Sequence, residues 1–150
     1  MKTIAKNKKA YFNYDIQETY EAGVSLTGSE VKSVRGGRIS LKESYADLRD
    51  GEIYLIGCHI SQYDPANRLN HDPLRERKLL LHRREIKRLT GKIKERGFAL
   101  VPTKIILTDR GWVKVEIALA KGKKVHQKRE AIRERDRERE MQAELKRYRH

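Results

Sequence analysis

The last 30 residues set the tightest limit on what this chain can fold into. Residues 121–150 carry 12 Lys+Arg and 6 Asp+Glu but only 7 hydrophobic side chains. So little apolar surface cannot offset the entropy of ordering, and the segment cannot close a core alone. Residues 1–120 hold 49 hydrophobic side chains with 23 Lys+Arg and 15 Asp+Glu, enough for one modest core. The sequence thus divides into a globular body, residues 1–120, net +8, and a basic tail, residues 121–150, net +6. Charged residues make up 37% of the chain, against about 25% in ordinary soluble proteins. A formal charge of +14 points to a polyanionic partner, with nucleic acid the leading candidate.

The body reads as mainly β with embedded helices. Tyr11–Ile16 and Tyr20–Leu26 are rich in aromatic and β-branched residues and read as strands. Thr27-Gly28-Ser29-Glu30 is a capping box that opens a short helix through Val31, Val34 and Arg35, stopped by Gly36-Gly37. Asp50-Gly51 is a hairpin turn between Tyr45–Leu48 and Glu52–Gly57. A polar loop with two Asp-Pro steps, Asp64-Pro65 and Asp72-Pro73, covers about residues 61–75. Ile86, Leu89 and Ile93 recur at helical spacing, with Gly97 as the stop. Ala99–Leu107 and a period-two strand built on Val113, Val115, Ile117 and Leu119 complete the body, joined by a turn at Asp109-Arg110-Gly111. Several short strands with interposed helices suggest a small OB-like antiparallel β-barrel. Residues 1–10 read as a short loose arm.

Catalytic signatures are missing. There is no phosphate-binding loop, no dinucleotide fingerprint and no histidine pair at ligand spacing among His59, His71, His82, His126 and His150. Cys58 is the one cysteine, so an internal disulfide and a cysteine-rich zinc site are excluded, and it reads as a small core residue. No metal, cofactor or catalytic residue is expected. No apolar run reaches the length of a membrane span, and the first residues do not lead into a secretory signal. The expected setting is cytoplasmic.

In the tail, Arg133–Glu140 alternates in sign. A helix there would gain i,i+3 ion pairs and lose about as much to like charges at i,i+4, each pair being worth about 0.2–0.5 kcal/mol. No Gly or Pro follows Gly122, so propensity favours helix, yet an isolated helix of this length is marginal in water. The expectation is a tail that is disordered or conditionally helical, folding against a phosphate surface. The acid-free stretch through Lys121, Lys123, Lys124, Lys128 and Arg129 supplies its strongest phosphate contacts.

Five short motifs then occur in order: Asn7-Lys8-Lys9-Ala10, Tyr20-Glu21-Ala22-Gly23, Gly28-Ser29-Glu30-Val31-Lys32-Ser33, Arg77-Lys78-Leu79-Leu80-Leu81-His82 and Ala120-Lys121-Gly122-Lys123-Lys124. From end to end the chain resembles the SsrA-binding protein family, also called small protein B, of bacterial trans-translation. The resemblance implies an OB-like barrel and a tail that becomes helical when bound. It implies an adaptor without catalytic activity that binds the tRNA-like domain of transfer-messenger RNA. With an elongation factor, such an adaptor enters the vacant A site of a stalled ribosome. There its tail lies in the empty mRNA channel beside the small-subunit decoding centre. The alternative is a generic basic OB-type RNA-binding or ribosome-associated protein.

The resemblance carries Asn7, Lys8, Glu21 and Leu80 onto positions tied to transfer-messenger RNA. Lys8 suits a phosphate, and Asn7 a sugar or base edge. Glu21 would accept from a base amine, a 2′-OH or an organising cation. Leu80, in a triple-leucine run, is open between core and interface. Arg77 and Lys78 are expected beside the RNA on charge grounds. Gly122, Lys123, Lys124, His126, Lys128 and Arg129 match the ribosome-binding segment, with His126 suited to stacking on a base. Gln127 stands where the family commonly carries Asp, which removes an acceptor charge. Trp112 is open between a stacking platform and a residue packed on the barrel.

Overall fold

A computed structural model describes residues 1–63, 70–95, 97–123 and 139–141. In chain order the elements are β1 (Lys2–Lys6), α1 (Lys8–Asn13), β2 (Tyr14–Val24), α2 (Gly28–Arg35), β3 (Ile39–Ser40) and β4 (Tyr45–Arg49). They continue with β5 (Glu52–Ile56), β6 (His59–Ile60), β7 (Arg77–Leu80), α3 (Arg83–Ile93), β8 (Phe98–Leu107) and β9 (Val113–Gly122). Seven strands form one antiparallel sheet in the order β1-β8-β9-β2-β7-β5-β4, and β3 and β6 pair separately. The sheet curls so that β4, at one edge, packs against β8, near the other. The architecture is mainly β with embedded helices, as the sequence indicates.

The core follows from alternation. Val115, Ile117 and Leu119 of β9 point inward to meet Ile53, Leu55, Leu79, Leu100 and Ile105, each at most 4% exposed. Helix α2 adds Val34 and α3 adds Leu89, both fully buried. The Thr27 capping box is present in full: its hydroxyl accepts from the Glu30 N–H, and the Glu30 carboxylate accepts from the Thr27 N–H. Asp50 (φ 48°) and Gly51 (φ 75°) both take the left-handed conformation that a tight hairpin requires. Helix α3 is fastened to β2 through Arg88, which donates to the Glu18 carboxylate.

Four expectations change. Residues 2–6 are not a loose arm, because β1 pairs with β8 from Lys2↔Leu107 to Lys6↔Lys104. Tyr11-Phe12-Asn13 is not strand: α1 covers Lys8–Asn13, and β2 begins only at Tyr14. Strand β9 is not half-buried throughout, since Ala118 and Ala120 on its other face are covered with Ala10 of α1, Val101, Tyr14 and Ile16. The body also extends past Ala120, for β9 runs to Gly122 and the Lys123 N–H donates to Asn13 O at 2.9 Å. The Asp64-Pro65 step lies outside the described residues, and so do Lys124, His126, Gln127, Lys128 and Arg129.

Candidate nucleic-acid interface

The loop between β1 and α1 owes its shape to a proline. Pro102 cannot donate to the sheet, and the register of β8 shifts between Pro102 and Lys104, a bulge that frees nearby carbonyls. Asn7 uses them. Its backbone N–H donates to Thr103 O at 2.7 Å and its side-chain amide to Pro102 O at 2.9 Å, while its carbonyl oxygen accepts from the Ala10 N–H and caps α1. The Asn7 amide, expected at RNA, spends its carbonyl oxygen and one N–H on the fold. The side chain is buried and committed to the fold, and its effect is to hold the two lysines that follow it.

Those lysines border a hollow of about 410 Å³ lined by Lys6, Lys8, Lys9 and Lys42, with Ser40 and Leu41 beneath. All four lysines are exposed, and no acidic side chain lines the hollow. Several cations elsewhere on the body are matched: Lys78 with Glu52 at 3.4 Å, Lys104 with Glu116 at 3.9 Å, Arg49 with Glu76 at 2.6 Å. Among the described residues none of the four lysines has such a partner. Four unpaired ammonium groups around one concavity make a site for phosphate. Sequence reasoning found Lys8 but missed Lys6, Lys9 and Lys42. The run Asn7-Lys8-Lys9 signalled part of it, whereas Lys42 reaches the hollow only through the fold.

Glu21 and Leu80 share the outer face of the sheet. Leu80 pairs with Gly23, Gly23 with Lys114, and Glu21 with Glu116, so these side chains stand in adjacent rows across β7, β2 and β9. Two carboxylates face each other there, and lysines offset them. Lys114 Nζ lies 4.0 Å from Glu21, and Lys104 approaches Glu116, which also accepts from Thr103 Oγ1 at 2.6 Å. Leu80 is 53% exposed, which removes it from the core. Gly23 leaves space for it, since a Cβ at Gly23 would meet Leu80 Cβ at 3.3 Å. Beside Leu80 opens a second hollow, of about 720 Å³, where Lys78, Arg83 and Lys87 face Asp50 and Glu52.

Arg77 does not face this surface. Its side chain is fully buried, with Nε 2.5 Å from Glu30 Oε2 and Nη1 donating to Cys58 O at 2.8 Å. Arg75 binds the other Glu30 oxygen at 2.7 Å. Burial alone would raise the Glu30 pKa, but hydrogen bonds from Arg75, the Thr27 N–H and Arg77 outweigh it and bring the group down to about 2. His71 completes the cluster: Nε2 donates to Ile60 O at 2.9 Å, leaving Nδ1 to accept from the Ser29 hydroxyl at 2.9 Å. The placement of Arg77 beside RNA is thus corrected. Charge named the residue, but Glu30, 47 positions away, holds it inside.

At the tail's origin, Gly122 pairs with Tyr14, and Lys123 Nζ donates to Tyr11 O at 3.0 Å. The first two residues of the expected ribosome-binding segment are therefore fastened to the body. Among the described residues no cluster of three or more His, Cys, Asp or Glu could hold a metal, and no helix is long and apolar enough to cross a membrane.

Comparison with known proteins matches this arrangement to one family. The family model described as SmpB protein matches residues 4–147. An SsrA-binding protein of Symbiobacterium thermophilum is 54% identical over 143 residues, spanning 95% of this chain and 90% of the relative. One from Persephonella marina is 53% identical over 146 residues, spanning 97% and 95%. Among solved structures, one described as "tmRNA-SmpB: a journey to the center of the bacterial ribosome" superposes with a TM-score of 0.67. It is 47% identical and covers 81% of this chain and 85% of its own. With its barrel, its motifs and its length all matched, the chain belongs to the SmpB family of SsrA-binding proteins.

Proposed function

We propose that the chain is an RNA-binding adaptor of ribosome rescue in the bacterial cytoplasm. The body binds the tRNA-like domain of transfer-messenger RNA and, with an elongation factor, brings it to a ribosome stalled without message. The tail then enters the vacant mRNA channel near the decoding centre and becomes helical. The protein performs no covalent chemistry of its own.

The observation that carries this reading is the lysine hollow beside a charge-balanced sheet face, in a chain whose solved relative is described with transfer-messenger RNA. The two surfaces divide the work. Lys6, Lys8, Lys9 and Lys42 neutralise phosphates and release counterions, which supplies affinity without sequence information. Glu21, its charge tempered by Lys114, accepts from a base amine or a 2′-OH, while Leu80 packs against a base or ribose. Beyond Lys123, Lys124, Lys128 and Arg129 meet ribosomal phosphates and His126 stacks on a base.

Truncation after Lys123 tests the division. The shortened protein keeps transfer-messenger RNA binding and loses tagging on stalled ribosomes; tagging by the truncated form overturns the role of the tail. Equal affinity of the full chain for transfer-messenger RNA and bulk tRNA would replace this reading with the generic RNA binder.

A further inference from the structure

The turn between β8 and β9 carries an aromatic side chain in the open. Trp112 is 69% exposed, although indole is among the side chains that most favour burial. The turn beneath it is built rather than loose. The Thr108 N–H donates to Trp112 O at 2.9 Å, and the Trp112 N–H donates to Thr108 Oγ1 at 3.0 Å. Arg35 reaches up from α2 to donate to Gly111 O at 3.0 Å. Gly111 (φ +85°) permits that approach, because a Cβ there would stand 3.0 Å from the Arg35 guanidinium.

Asp109, the acid of the turn, is engaged by the N-terminal amine of Met1 at 2.7 Å. Arg110 and Arg35 are exposed on either side of Gly111, and neither has an ion-pair partner among the described residues. Val113, the next residue, packs into the core, so Trp112 emerges on the opposite, outer side, in line with Lys114. It thereby extends the face that bears Glu21, Gly23 and Leu80. An exposed indole on a hydrogen-bonded turn that carries Arg110 and receives Arg35, on a face whose acids are already offset, suits the π-face of an unpaired base with its phosphates nearby.

We infer that Trp112 is a base-stacking platform for a single-stranded RNA nucleotide, with Arg35 and Arg110 receiving the adjoining phosphates. The inference rests on the RNA-binding reading above and adds a contact to it. Because Trp112 is the chain's one tryptophan, its fluorescence reports this contact directly.

The full-length protein is titrated with two RNAs, the tRNA-like domain of transfer-messenger RNA and a ribosomal hairpin from the decoding region, alongside Trp112→Ala and Trp112→Phe. Stacking predicts quenching of Trp112 by one of the two, which identifies the source of the base. It also predicts that Trp112→Ala weakens that same RNA by roughly 5- to 100-fold, with Trp112→Phe recovering part of the loss. The dependence of affinity on salt stays unchanged in Trp112→Ala, since no charge is removed. Absence of quenching by both RNAs overturns the proposal, as does quenching without loss of affinity in Trp112→Ala. A loss of affinity accompanied by a lowered melting temperature assigns Trp112 a structural role and overturns it equally. Leu80→Ala serves as the separate check on the underlying reading: if it weakens transfer-messenger RNA while Trp112→Ala weakens neither RNA, the stacking role alone falls.

Discussion

Arg77 and Glu30 meet inside the barrel with neither side chain exposed to solvent, joining β7 to the first turn of α2 across 47 residues of sequence. Removing one partner strands a buried charge. Arg77→Met is expected to destabilise the body by about 3–5 kcal/mol. The loss is read from the midpoint of urea unfolding. Arg77→Lys keeps the charge but cannot serve Glu30 and Cys58 O together, so it loses less. Its folded fraction should bind RNA as tightly as wild type, because Arg77 lies away from the surface.

The same pair sets an acid limit on stability. Glu30 has its pKa lowered from 4.5 to about 2 in the folded protein, so the unfolded chain takes up the proton first as pH falls. The contribution of Glu30 is fully present above about pH 4.5 and disappears as pH drops through about 2. Thermal unfolding of wild type and Glu30→Gln across this range should show a gap that narrows steadily toward low pH. A gap that stays constant would mean that the charge of Glu30 is not what stabilises the fold.

Asn7 is expected to act through stability. Asn7→Ala removes the cap of α1 and the bond to Pro102 O, costing about 1–2 kcal/mol. Binding of RNA by the variant should weaken in proportion to the disturbance of Lys8 and Lys9. Asn7→Asp keeps the capping oxygen but loses the donor, and it should retain part of the stability in a thermal melt.

The lysine hollow predicts an electrostatic signature. Lys8→Ala and Lys42→Ala each lower affinity for transfer-messenger RNA and reduce the slope of log Kd against log salt by about one phosphate contact. Unfolding midpoints should hardly move, since both side chains are exposed. Leu80→Ala also leaves the midpoint nearly unchanged, but it lowers affinity without altering the salt slope. Gly23→Ala should have a milder effect in the same direction, because its methyl group presses on Leu80 Cβ at 3.3 Å.

Local signals in the sequence were reliable where local chemistry decides the structure. The capping box at Thr27, the hairpin at Asp50-Gly51 and the strand through Val115 and Ile117 all depend on neighbouring residues and stand where the sequence indicates. Helix α1 was hidden because Tyr11 and Phe12 resemble strand residues, and its cap relies on a carbonyl 95 positions away. Strand β1 was hidden for the same kind of reason: its partner β8 lies at the far end of the body. In the candidate site, Lys8 and Glu21 are exposed, and Leu80 resolves to the surface. Asn7 and Arg77 could not be assigned to the interior from sequence, because burial of a polar side chain depends on partners that only the fold assembles.

Lys123 gives the tail a fixed point of departure. Its backbone and ammonium groups are both held by carbonyls of α1, the helix whose opposite end presents Lys8 and Lys9 to the hollow. The 27 residues beyond it would reach about 40 Å as one continuous helix and about 90 Å fully extended. Reach measured from that anchor is therefore a gauge of conformation. A tether mounted so close to the lysine hollow ties the distance from that hollow to the chain end to how compactly the intervening residues are arranged.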